Sequence, residues 1–221
     1  MSGRQPEPGD RPGRAHGRAV QAVIPVCALD RFNNRPAQYV HPARLAAMER
    51  IDDTEMIRSL LARERIERRL SQRILARMNC RPATLADFDG RHAALALEDF
   101  DVMRRVCLLA SARRFTAEIR LLVDGTVIRE VIELLGEPCF RSLREAGPSG
   151  PARTLPPAAL AQEIRRRAKN YLAGWLIAQP EPIRKRAVLK TPPGVRTSVF
   201  VGDLQKLAVE ITASLNEARH A

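Results

Sequence analysis

The sequence predicts an all-α protein, a single irregular multi-helix domain, on three observations. Apolar residues recur at three- and four-residue spacing through most segments after residue 54. Asp-Gly, Gly-x-Pro and Pro-Pro-Gly runs stand between those segments, where a helix has to stop. The 221 residues are also enough chain to bury a core without disulfide or metal staples.

Residues 1–22 mix Pro6, Pro8, Gly9, Pro12, Gly13 and Gly17 with arginine and hold few apolar side chains. They cannot bury enough surface to offset ordering entropy, so a disordered basic tail precedes a helical domain over 23–221. The stretch up to Pro42 reads as turn-rich, and Pro42 suits the first position of a short helix ending near Arg50. Asp52 or Asp53 then caps a long helix over 54–79. Its apolar stripe (Ile57, Leu60, Leu61, then Ile66, Leu70, Ile74) shifts near Ala62–Arg65, as if it served two packing surfaces. Arginines from Arg58 to Arg77, interleaved with Glu64 and Glu67, form its solvated, salt-bridged face.

After a loop from Pro82 to Gly90, residues 94–112 carry a broad apolar face and read as the most buried helix. Asp124-Gly125 breaks the next pattern, Thr126 is placed to cap a helix through Leu135, and Gly136 with Pro138 ends it. CFRSLRE reads as a turn, followed by an exposed Pro/Gly loop over 147–157. From Pro157 to Gln179, Leu160, Ile164, Ala168, Leu172, Trp175 and Leu176 repeat at helical spacing, which assigns the single tryptophan to the core. Residues 184–191 alternate weakly and read as a short strand-like piece before Pro192-Pro193-Gly194. A last amphipathic helix carries Leu204, Leu207, Ala208, Ile211 and Leu215.

The formal charge is +12, with 33 of the 37 basic residues arginine. The surplus lies in the first fifty residues and between 151 and 200, where ten basic residues meet two acids. Arg165, Arg166 and Lys169, with Arg184, Lys185 and Arg186, are the candidate partner-binding residues, a zone suited to steering an acidic face. The nine aromatic residues do not interleave with these cations as a single-strand nucleic-acid platform requires, which makes nucleic acid an unlikely partner.

Phosphate-loop, dinucleotide, zinc-protease and esterase signatures are absent from the sequence, so no catalytic, cofactor or metal residue is assigned. His16, His41, His92 and His220 are scattered, and the acidic pairs sit where helices begin. Cys27, Cys80, Cys107 and Cys139 show no metal-ligand spacing and read as small buried thiols. No apolar run approaches the ~20 residues of a transmembrane helix, and no apolar stretch follows the N-terminal arginines as a signal peptide requires. A cytoplasmic protein is expected.

Phe32-Asn33-x-x-Pro36-x-x-Tyr39-x-His41-Pro42-x-x-Leu45 resembles the opening pattern of the SctK/YscK family, the K subunit of the sorting platform in bacterial type III secretion. Leu172-Ala173-x-Trp175-Leu176-x-Ala178, with Pro180 and Pro182 after it, resembles a second stretch of that family, and Arg104-Arg105-x-Cys107-Leu108-Leu109-Ala110-Ser111 its middle helix. The similarity spans roughly residues 30–215; the basic tail and the arginine content depart from it.

The resemblance implies a non-enzymatic helical adaptor in the cytoplasm, peripheral to the inner membrane at the secretion apparatus. It would link the cytoplasmic domain of the inner-membrane ring protein (D-type) to the pod protein (Q-type), and through the pod to the stalk and export ATPase. The alternative from another class is a basic helical nucleic-acid-binding regulator.

Overall fold

The structure, a computed structural model, describes residues 24–88, 91–147, 155–195 and 209–215. The tail assigned to 1–22, most of the Pro/Gly loop, and Leu204, Leu207 and Ala208 lie outside the described residues. The described residues are helical with no strand, as the periodicity predicts.

The first helix, α1 (Val26–Asn34), occupies the stretch expected to be turn-rich. It forms because Pro25 offers its carbonyl to the first turn, and because Phe32 is buried against the core. A 3-10 turn, Pro36–Gln38, leads to α2 (Pro42–Glu49), where Pro42 takes the first turn and the His41 Nδ1 accepts from the Ala43 amide at 3.3 Å.

The expected long helix is two. α3 (Thr54–Leu61) is capped by the Asp53 carboxylate, which accepts from the Glu55 and Met56 amides. The chain then leaves helical geometry at Arg63 and restarts as α4 (Glu64–Met78). The break realigns the shifted stripe, so that Ile57, Leu70 and Ile74 all enter one core instead of two.

α5 (Phe100–Ala112), preceded by a 3-10 stretch over Arg91–Leu97, is buried on nearly every face from Val106 to Ala112. α6 (Thr116–Arg120) follows a 3-10 turn. α7 (Gly125–Leu135) is capped by the Asp124 carboxylate, which accepts from the Thr126 and Val127 amides; Thr126, expected as the cap, lies inside the helix. An Asp two positions earlier reaches the free amides of the first turn without any need for the threonine hydroxyl.

Gly136, at φ 86°, ends α7 and at once starts α8 (Glu137–Glu145), so CFRSLRE is a helix and not a turn. The positive φ lets the chain reverse without leaving Cys139, Phe140 and Leu143 out of the core. α9 (Leu160–Ala178) runs nineteen residues along α5, where the Ser111 hydroxyl donates to the Ile164 carbonyl at 3.0 Å.

α10 (Glu181–Lys190) replaces the expected strand-like piece at 184–191. Pro180 and Pro182 fit the start of a helix, and the alternation was weak because Pro182, Ile183, Arg186, Ala187, Leu189 and Lys190 are all buried. Residues 209–215 are helical and bury Ile211 and Leu215.

Two apolar cores result. The larger joins Phe32 and the 3-10 stretch before α5 to residues of α5 through α10 and to Ile211 and Leu215; the smaller joins α2, α3 and α4 to Ala37, Val40 and Leu189. Tyr39 packs against both, and α10 places Ile183 and Ala187 in the first and Leu189 in the second. Cys107 and Cys139 are buried as expected, whereas Cys27 is exposed and Cys80 half-buried.

Candidate functional site

The six basic residues assigned to a partner do not form one surface. Arg165, Arg166 and Lys169 project from the solvent face of α9, while α10 buries two of its four cations, Arg186 and Lys190. This division follows from helical phase: the stripe Ile164, Ala168, Leu172 buries one side of α9 and leaves 165, 166 and 169 opposite.

On α9, Glu163 organises the neighbourhood. Its carboxylate accepts two hydrogen bonds from Arg166 at 2.6 Å each and one from Arg167 Nε at 3.1 Å, and the Arg166 bonds hold it below the usual carboxylate range. Arg167 is drawn aside, with its guanidinium 5.4 Å from the Phe115 ring centroid. Arg165 and Lys169, one helical turn apart, have no ion-pair partner among the described residues. They border an open depression edged by Leu155 and Ala159 with Gln162 and Glu163. A side chain that places a carboxylate against the two free cations, with an apolar group on Leu155, fits this arrangement chemically.

α10 does something else. Arg186, assigned to the partner surface, is 1% exposed and lies inside the fold. Its Nη1 donates to the Pro182 and Arg81 carbonyls at 3.1 and 3.0 Å and approaches the Cys80 sulfur at 3.3 Å. Lys185 donates from Nζ to the Met78 carbonyl at 3.1 Å, where α4 ends and its carbonyls lack helical partners, and pairs with Glu181 at 2.7 Å. Arg184 stays half-exposed. A basic run that looked like a docking surface is largely a set of donors for carbonyls at the ends of other elements.

Lys190 completes this set; it ends the same basic zone but is not among the residues assigned to a partner. It is 3% exposed, donates to the Glu98 carbonyl at 2.6 Å, and lies 5.6 and 5.0 Å from the Phe32 and Tyr39 ring centroids. Burial lowers its pKa to about 8. The signal was present: Arg186 and Lys190 are four apart, hence on one helical face with Ile183 and Ala187.

Two of the residues that carry the resemblance, Phe32 and Tyr39, lie against this lysine. Phe32 and Tyr39 stack at 5.7 Å, the Tyr39 hydroxyl donates to the Phe32 carbonyl at 2.7 Å, and burial pushes that phenol well above its ordinary range. Pro36 opens the 3-10 turn, His41 caps α2 and meets Phe100 edge-on, and Pro42 starts α2. The His41 amide donates to the Leu189 carbonyl at 2.8 Å, and Arg44 reaches Thr191 and the Pro192 carbonyl. Trp175, 1% exposed, donates its indole N–H to the His92 carbonyl at 3.0 Å. Phe32, Tyr39 and the His41 amide thus meet the end of α10, whereas Trp175 is tied to the 3-10 stretch before α5.

Among the described residues no group of three or more His, Cys, Asp or Glu side chains is placed to hold a metal, and no helix is long and apolar enough to cross a membrane. Comparison of the chain with protein-family models, with curated proteins and with solved structures finds no match.

Proposed function

We propose that the chain is a non-enzymatic helical adaptor of the type III secretion sorting platform, bridging the ring protein's cytoplasmic domain and the pod protein. The reading rests on the sequence resemblance, and the observation that supports an adaptor is the pair Arg165 and Lys169. Both are exposed beside an apolar-edged depression on a helix whose other face is locked into the core. In this reading that face of α9 meets an acidic surface, with charge steering the approach and Leu155 excluding water from the contact. Arg166 contributes less, because Glu163 already satisfies its guanidinium.

Affinity purification of the tagged chain from its own cells, with nuclease and at moderate salt, tests the assignment. Co-purification of ring and pod proteins, reduced by Arg165→Glu/Lys169→Glu, is the expected result. Their absence, with nucleic acid retained when nuclease is omitted and shed on adding salt, would transfer the case to the nucleic-acid regulator.

A further inference from the structure

The outward face of α4 carries a row of arginines that the fold uses only in part, since Arg73 pairs with Glu49 of α2. Arg65, Arg69 and Arg73 follow one another at four-residue intervals, a rise of about 6 Å per step, and all three are exposed. Arg63 stands just before the helix, and Arg68 flanks the row. The inward face is wholly committed: Leu70 and Ile74 enter the smaller core, and Ser71 donates to Glu67, which also pairs with Arg35 at 3.1 Å.

The acids of the neighbourhood are taken up by Arg68, Arg73 and Arg77. Glu64 pairs with Arg68 at 2.6 Å, and Glu49, at the end of α2, accepts from Arg73 and Arg77 at 2.6 and 2.8 Å. Arg63, Arg65 and Arg69 are left without an ion-pair partner among the described residues. The face carries no large apolar side chain; Gln72 and Ala76 fill the remaining outward positions.

We propose that this face of α4 is a second docking surface, and that its occupant is an acidic helix of a partner protein with carboxylates at four-residue intervals. Such a helix laid along α4 repeats its charge at the same ~6 Å rise that separates Arg65 from Arg69, so each of these two free guanidiniums can take a carboxylate two-pronged, with Arg63 beside them. A nucleic acid fits less well, because only three cations are free to neutralise phosphates and no aromatic ring is there to stack a base. The inference rests on the adaptor reading, since a bridge needs two surfaces: α9 belongs to the larger core and α4 to the smaller one.

The test uses the full chain and three labelled probes followed by fluorescence anisotropy. One is a helical peptide of about 20 residues with glutamates at four-residue intervals; the second has the same composition scrambled around the helix; the third is duplex DNA of similar length. The ordered peptide is expected to bind about tenfold more tightly than the scrambled one, an advantage lost in Arg65→Glu/Arg69→Glu and kept in Arg165→Glu/Lys169→Glu. Both substitutions fall on exposed positions, and an unchanged melting temperature confirms the folded variant. Equal affinity for the two peptides, tighter binding of DNA, or a loss confined to the α9 variant each overturns the α4 assignment. The adaptor reading is judged separately by co-purification: ring and pod proteins retained by Arg65→Glu/Arg69→Glu but lost by the α9 variant would remove α4 alone.

Discussion

The ammonium of Lys190 lies 5.0 Å from the centroid of the Tyr39 ring, in a site 3% open to solvent, with a carbonyl and not a carboxylate as its hydrogen-bond acceptor. Two segments some 150 residues apart in sequence are joined through this contact. A buried cation without a buried anion is tolerated there because two ring faces and the Glu98 carbonyl replace part of its lost hydration.

That burial sets an alkaline stability profile. The Lys190 pKa falls from 10.5 in the open chain to about 8 in the fold, so between those values the unfolded state binds more protons and stability rises with pH. Between about pH 7.5 and 9.5 this group adds ~2 kcal/mol. Cys107, raised by burial to about 12, acts in the opposite sense above its ordinary range, so the wild-type curve is the sum of both. Denaturant unfolding of wild type and Lys190→Met across that interval isolates the lysine: the difference between them should shift by the stated amount, and parallel curves would contradict it.

Charge reversal separates interior from surface cations. Arg186→Glu places a carboxylate against the Arg81 and Pro182 carbonyls and is expected to cost ~3–5 kcal/mol. Arg165→Glu, on the open face of α9, should stay within about 0.5 kcal/mol. Urea midpoints of the two variants measure the contrast, and equal midpoints would remove Arg186 from the interior.

Asp87 is the acid-sensitive group. Its carboxylate accepts from Arg81 at 2.5 and 2.7 Å and from the Thr84 amide and hydroxyl, and the Arg81 bonds hold its pKa well below the carboxylate range. Since the folded value is depressed, its contribution is complete above the unfolded pKa and is lost as pH falls through the folded one. Asp87→Ala should cost about 1–2 kcal/mol near neutrality, the value of a lost cap, and flatten the acid limb of the stability curve. An acid limb as steep as in wild type would show that other carboxylates carry it.

Trp175 combines burial with a hydrogen bond. Trp175→Ala is expected to lose ~3–5 kcal/mol through the cavity it leaves. Trp175→Phe keeps most of the packing but loses the hydrogen bond to the His92 carbonyl, adding about 0.5–1.5 kcal/mol to whatever the smaller ring costs. Melting temperatures of the two variants, with alanine the lower, check the order.

Much of the helical skeleton was legible because periodicity and punctuation report local geometry. Asp53, Pro42, Gly136 and the stripe of α9 act within a turn or two of themselves, and the structure uses them where the spacing puts them. The misreadings have physical causes. α10 is buried on several faces, so the contrast between its faces is weak, while α1 and α8 are amphipathic but only nine residues long, too short for the period to repeat more than twice. Of the α9 site, Arg165 and Lys169 were legible as exposed, but the capture of Arg166 by Glu163 was not assigned in advance.

By itself the sequence determined the helical class, most helix ends and the inward stripes, because these depend on neighbours three or four residues away. Only the tertiary structure decided which cations face solvent. Arg166, Lys185, Arg186 and Lys190 carry the same formal charge, yet one is held by a carboxylate on its own helix, one pairs locally and caps a distant helix end, and two are buried against carbonyls. A charge interacts with whatever the fold brings within a few ångströms, and that proximity is set by packing between segments that the linear order keeps apart.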